Sequence, residues 1–150
     1  MRVWWLGFAA CGGQDVMTSD PLPPPDTDGA CGDVTTHDVT LLGAVVLDDL
    51  PFEGATIWVE DRGWEPGTIL AEGVTGADGT VTFALDDLVS VEDCWGVLLD
   101  YVAVASAVSP ADGSTLSGET DLNSHLFSAI DSGSLVADFS PFPIELEAVE

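Results

Sequence analysis

The sequence predicts an all-β fold: an antiparallel β-sandwich of about seven strands, preceded by a signal segment and a disordered tether. Three observations predict it. From residue 39 onward, apolar residues recur with period two and no stretch shows a sustained helical stripe. Turn residues interrupt that alternation at short intervals, as at Ala77-Asp78-Gly79 and Pro110-Ala111-Asp112-Gly113. The 150 residues are 46% hydrophobic with a mean hydropathy of +0.30, which suffices for a packed core in spite of a net charge of -25.

Residues 1–10 read as a signal segment. One cation, Arg2, precedes an uncharged and mostly apolar run that ends in Ala9-Ala10 before Cys11, the pattern of an export signal. Phe8-Ala9-Ala10-Cys11 resembles a bacterial lipobox. The resemblance implies a lipoprotein in which Cys11 is acylated and becomes the N-terminus after cleavage. It thereby implies a membrane partner reached through a lipid anchor and a place in the cell envelope, at the outer membrane or cell surface. Residues 11–38 then read as a tether rich in Pro, Gly and Asp; Pro21-Leu22-Pro23-Pro24-Pro25 can neither continue a helix nor join a central strand.

The three cysteines are an odd number, which acylation of Cys11 explains. Cys31 and Cys94 are left as a pair, and an oxidising compartment would let them form a disulfide that ties the tether's end to the domain. Two buried thiols are the alternative. No paired spacing of cysteines or histidines suggests zinc.

Residues 39–150 carry the sandwich. Ala55, Ile57 and Val59 alternate with Thr56, Trp58 and Glu60, and Val81, Phe83 and Leu85 alternate in the same way after the Ala77-Asp78-Gly79 turn. Strands are also predicted at 39–47, 68–74, 97–108, 134–139 and 143–149, with a short helix within 121–130. Many short strands around a single core specify a sandwich.

Three motif stretches carry a family resemblance: Gly43-x-Val45, Pro51-x-x-Gly54-Ala55-x-Ile57-x-Val59 and Thr75-x-x-x-Gly79-x-Val81-x-Phe83. Over about 39 to 108 the chain resembles the carboxypeptidase regulatory-like family, a transthyretin-like sandwich found in exported bacterial proteins. Gly76 stands where that family has aspartate. The resemblance implies a domain that accompanies peptidases without being one. Gly54 and Gly79 sit where a tight turn enters a strand, a place for positive φ.

Charge and motif exclude several functions. The chain has 27 acidic side chains and only two cations, Arg2 and Arg62, so it has no means of neutralising a nucleic-acid backbone. His125 lies near Asp121, Ser124 and Ser128, but this is no triad motif and no G-x-S-x-G elbow occurs. No catalytic residue, metal site or cofactor is expected, and the protein is read as a non-enzyme. Calcium is the alternative, in an adhesion or carbohydrate-binding module, because Asp26, Asp28 and Asp33, or the loop acids Asp48, Asp49, Asp78, Asp86 and Asp87, offer hard oxygen ligands. Trp58, facing away from Ile57 and Val59, and Trp64, in the loop 62–67, are the candidate binding residues, on which a protein or glycan partner could stack. The expected function is thus a lipid-anchored envelope module for binding or structure.

Overall fold

β1 (Val34–Leu47) is the spine of the first of two sheets in the computed structural model, which describes residues 33–91 and 98–149. Its alternation drives Val39, Leu41 and Val45 into the core. Asp48 and Asp49 both adopt positive φ, so the chain reverses in a two-residue turn whose twist suits a hairpin, and β2 (Leu50–Pro51) returns beside Leu47. The chain next crosses to the second sheet for β3 (Thr56–Asp61) and β4 (Thr68–Val74), then returns to pair β5 (Thr80–Val91) antiparallel with β1. β6 (Tyr101–Val108) and β7 (Thr115–Asp121) complete the second sheet's antiparallel core beside β3. The helix α1 (Asn123–Asp131) leads to β8 (Val136–Asp138), β9 (Ile144–Glu145) and β10 (Glu147–Ala148).

The second sheet has the order β10-β7-β6-β3-β4. In the first, β1 carries β5 and β2 along one side and β8 and β9, both parallel to it, along the other. Leu41, Ile57, Val59, Leu85, Tyr101 and Phe139 fill the space between the sheets, and burying a side chain of this size contributes about 1.5–3 kcal/mol.

Three details show how local chemistry fixes this course. Thr75 is buried between β4 and β5; its Oγ1 donates to the Phe52 carbonyl at 2.6 Å and accepts from the Ala55 N–H at 3.0 Å, which pins the approach to β3. Asn123 anchors the start of α1: its Oδ1 accepts from the Tyr101 N–H at 3.0 Å and its Nδ2 donates to Asp121 at 2.9 Å. At the far edge the chain passes from β9 in one sheet to β10 in the other, directly against Gly118 of β7. A Cβ on Gly118 would lie 2.2 Å from the Glu145 carbonyl oxygen, so only glycine admits the crossing.

The architecture agrees with the expected all-β sandwich, and Gly54 and Gly79 have the anticipated positive φ (82° and 73°). Five details differ. β1 begins at Val34, inside the stretch read as tether, and β5 runs on to Val91 rather than ending near 86. β7 was not anticipated, because Gly118 and Thr120 occupy two of its three inward positions and erase the alternation. The predicted 143–149 strand is split into β9 and β10 by the crossing. Finally, β8 and β9 pair parallel with β1, since α1 returns the chain to the same end.

Two turns share one chemistry. In Ala77-Asp78-Gly79-Thr80 the Asp78 carboxylate accepts from the Thr80 hydroxyl at 2.7 Å and N–H at 3.1 Å. In Ala111-Asp112-Gly113-Ser114 the Asp112 carboxylate accepts from the Ser114 N–H at 3.0 Å and hydroxyl at 2.8 Å. These bonds hold both carboxyls below their ordinary value: for Asp78 the Thr80 hydroxyl acts most, for Asp112 the Ser114 N–H. A lowered folded-state pKa gives stability that is present above the unfolded value and lost as pH falls through the folded one. Self-repulsion among the acids acts in the opposite sense and fades as pH approaches the isoelectric point near 4.1. The melting temperature is therefore expected to rise from pH 7 towards pH 5 and to fall below about pH 4. Asp78→Asn with Asp112→Asn should flatten the acid limb in a calorimetric pH series, and an unchanged limb would refute the assignment.

Candidate binding surface

Alternation along β3 places Trp58, Glu60 and Arg62 on one side and Ile57, Val59 and Asp61 on the other. Ile57 and Val59 are fully buried, so the first group lies on the outer face of the second sheet. Trp58 is half-buried there, directly between Glu72 of β4 and Val104 of β6. Its Nε1 donates to Glu60 Oε2 at 3.2 Å. Arg62 donates through Nε to the other oxygen of Glu60 and through Nη2 to Glu119 Oε2 of β7 at 2.9 Å.

That second bond spans the sheet. β6 lies between β3 and β7, so the guanidinium reaches across it. Val102 and Val104 of β6 point outward by register yet are only 6% and 8% exposed, which fits an arginine stem and an indole lying over them. Arg62 holds the Glu60 carboxyl below its ordinary value, and the two carboxylates, Glu119 foremost, raise the guanidinium in turn. Exposed pairs of this kind contribute about 0.2–1 kcal/mol. Their consequence here is positional: the arginine is committed to two glutamates and offers no unpaired cation to an anionic ligand.

Trp64 is positioned differently. Buried Asp61 gathers the N–H groups of Gly63, Trp64 and Glu65 at 2.8, 3.0 and 2.9 Å, which coils the 62–67 loop around one carboxylate. Gly63 touches the backbone at Leu98 and Asp100, and Trp64 packs against the core. Tyr101 lies nearby; burial, reinforced by the charges of Asp61 and Glu65, pushes its hydroxyl pKa well up, and the hydroxyl donates to the Val89 carbonyl at 3.0 Å. Of the two tryptophans it is Trp58 that presents its ring on an outer sheet face, while Trp64 serves the loop's packing.

Cys11, Cys31, Cys94, Asp26 and Asp28 lie outside the described residues. Among the described residues no three His, Cys, Asp or Glu side chains come together to hold a metal ion, so Asp48, Asp49, Asp78, Asp86 and Asp87 do not converge as calcium ligands. Asp87 instead sits in a bulge opposite Asp38, whose Oδ1 accepts the Asp87 N–H at 3.1 Å. His37 pairs with the Thr35 hydroxyl at 3.1 Å. His125 packs edge-on against Phe139 and at a tilt against Phe142, and among the described residues no hydrogen bond joins it to a serine. No described helix is long and apolar enough to cross a membrane.

The class that fold and surface define is an all-β sandwich whose second sheet presents a tryptophan set among paired acids. No family model matches the chain, and no curated protein matches it. Sequence reasoning did not reach the Arg62–Glu119 bridge or the role of Asp61. The first joins strands 57 residues apart. The second did have a signal: an acid at the inward position of an alternating strand, just before a Gly-containing loop.

Proposed function

We propose that this is a lipid-anchored envelope protein without catalytic activity, in which the sandwich is a binding or structural module and the Trp58 face meets a protein or glycan partner. The observation that carries the reading is the indole on the outer sheet face, oriented by Glu60 and flanked by Glu72, with the Arg62–Glu119 bridge on the same face. Aromatic anchors of limited conformational freedom are favoured at recognition surfaces. The anchor rests on Arg2, the apolar run and Phe8-Ala9-Ala10-Cys11, with residues 12–33 holding the domain off the bilayer. Kinship with carboxypeptidase regulatory-like domains belongs to the same reading and rests on the motif stretches Gly43-x-Val45, Pro51-x-x-Gly54-Ala55-x-Ile57-x-Val59 and Thr75-x-x-x-Gly79-x-Val81-x-Phe83.

The disulfide is part of this proposal. With Cys11 acylated, the odd cysteine count leaves Cys31 and Cys94 to pair, and a bridge closing a loop of this length contributes about 4 kcal/mol in chain-entropy models.

Intact mass spectrometry of the protein from its native host, with and without reductant, tests the reading. The expected species starts at Cys11, carries fatty acyl chains and gains two hydrogens on reduction. A product that retains Met1 and three free thiols would refute the anchor. Trp58→Ala should lower recovery of envelope partners in pull-downs at least tenfold without changing the far-ultraviolet spectrum, and undiminished recovery would refute the role of this face.

A further inference from the structure

We propose that a cleft between α1 and β8, on the first sheet and away from the Trp58 face, binds a neutral sugar. The cleft has a volume of about 290 Å³ and is lined by Ser124, His125, Ser128, Ser132, Ser134 and Asp138, with Val136 and Ala137 in its wall. At roughly 30 Å³ per liquid water this is space for about ten water molecules, the bulk of a single hexose ring.

The lining decides the ligand's chemistry. Serine hydroxyls both donate and accept, imidazole offers one of each, and a carboxylate accepts. Ser132 and Ser134 direct their hydroxyls to the Ala129 carbonyl, so Ser124, Ser128 and His125 offer the donors. Asp138 accepts from the Ser140 N–H at 2.8 Å and from the Ser140 hydroxyl, and the carboxylate's remaining lone pairs can still accept from a sugar hydroxyl. A sugar's adjacent hydroxyls match this mixture. An anion does not: Asp138 opposes it, and Arg62, the one basic Lys or Arg side chain among the described residues, is held by two glutamates on the second sheet.

The rim supplies the apolar half of a sugar site. Phe142 is 70% exposed, with Pro141 and Pro143 on either side and its N–H bonded to the Phe139 carbonyl at 2.8 Å. Its ring lies 6.3 Å from that of His125, which lines the cleft. The prolines and this bond restrain the backbone that carries the ring in the absence of any ligand. An exposed aromatic beside convergent polar groups stacks on the C–H face of a pyranose while the hydroxyls reach His125 and Asp138.

The test is a titration of the full chain with glucose, galactose, mannose and N-acetylglucosamine, read by amide chemical shifts. At least one sugar is expected to give saturable shifts confined to 124–142, with a dissociation constant on the order of millimolar, as a shallow single-ring site allows. Phe142→Ala and Asp138→Asn should each weaken it about tenfold or more, a loss of about 1.4 kcal/mol. Both side chains are exposed, so an unchanged melting temperature checks that the fold is intact. The proposal is overturned if no sugar gives saturable shifts, if the shifts persist in Phe142→Ala, or if tetramethylammonium moves the same amides more strongly than any sugar. None of these outcomes bears on the Trp58 face, which is tested separately.

Discussion

Phe139→Ala is expected to destabilise the protein by about 3–5 kcal/mol, the range for deleting a buried aromatic ring. Phe139 is completely buried and follows β8, with its N–H bonded to the Leu42 carbonyl at 2.9 Å. Its ring occupies the space that a side chain at Gly43 would need: a Cβ there would lie 2.1 Å from Phe139 Cζ. Gly43→Ala alone should therefore cost about 1–3 kcal/mol through overpacking. In the Phe139→Ala background the added methyl partly fills the hole, and its cost should vanish or change sign. A double-mutant cycle measured by urea denaturation reads this coupling; urea is the right denaturant, because guanidinium salts would also screen the acidic surface. Strict additivity of the two costs would show that ring and glycine are energetically independent.

Asp61→Ala is expected to cost about 3 kcal/mol. One buried carboxylate satisfies three backbone N–H groups, and each donor left unmet in a part-buried setting costs about 1–3 kcal/mol, less where water enters. The damage should be local first. Hydrogen exchange at Gly63, Trp64 and Glu65 should accelerate by more than that at Ile57 or Val59, because the loop loses its centre before the sheet loses its ladder. Asp61→Asn should fall between, since the amide oxygen still accepts while the amide nitrogen faces other donors. Uniform acceleration across β3 would show that Asp61 supports the sheet instead of the loop.

The sequence was most informative where one side chain decides one position. Ile57 and Val59 alternate with Trp58 because one face meets the core and the other meets solvent, so both the strand and the outward direction of the indole could be read directly. Gly54 and Gly79 announced their turns because positive φ is costly for other residues. β7 was hidden for the converse reason. Its inward side contains Gly118, chosen for the close passage of β9, so the residue that makes the strand possible also removes the pattern that would reveal it. The pairing of Arg62 with Glu119, and the meeting of His125, Asp138 and Phe142, depend on which elements lie side by side. Short-range periodicity carries no record of that.

The handover from β9 to β10 has a consequence for how the two layers are held together. Residues 144–148 supply a strand to each sheet. The hairpins need only neighbouring strands, whereas the two layers stay unfastened along that border until this stretch has docked on both. A deletion of only this stretch would uncover Val45 and Val46 of β1 and Leu116 and Ser117 of β7, one edge in each sheet, and so expose both to neighbouring chains.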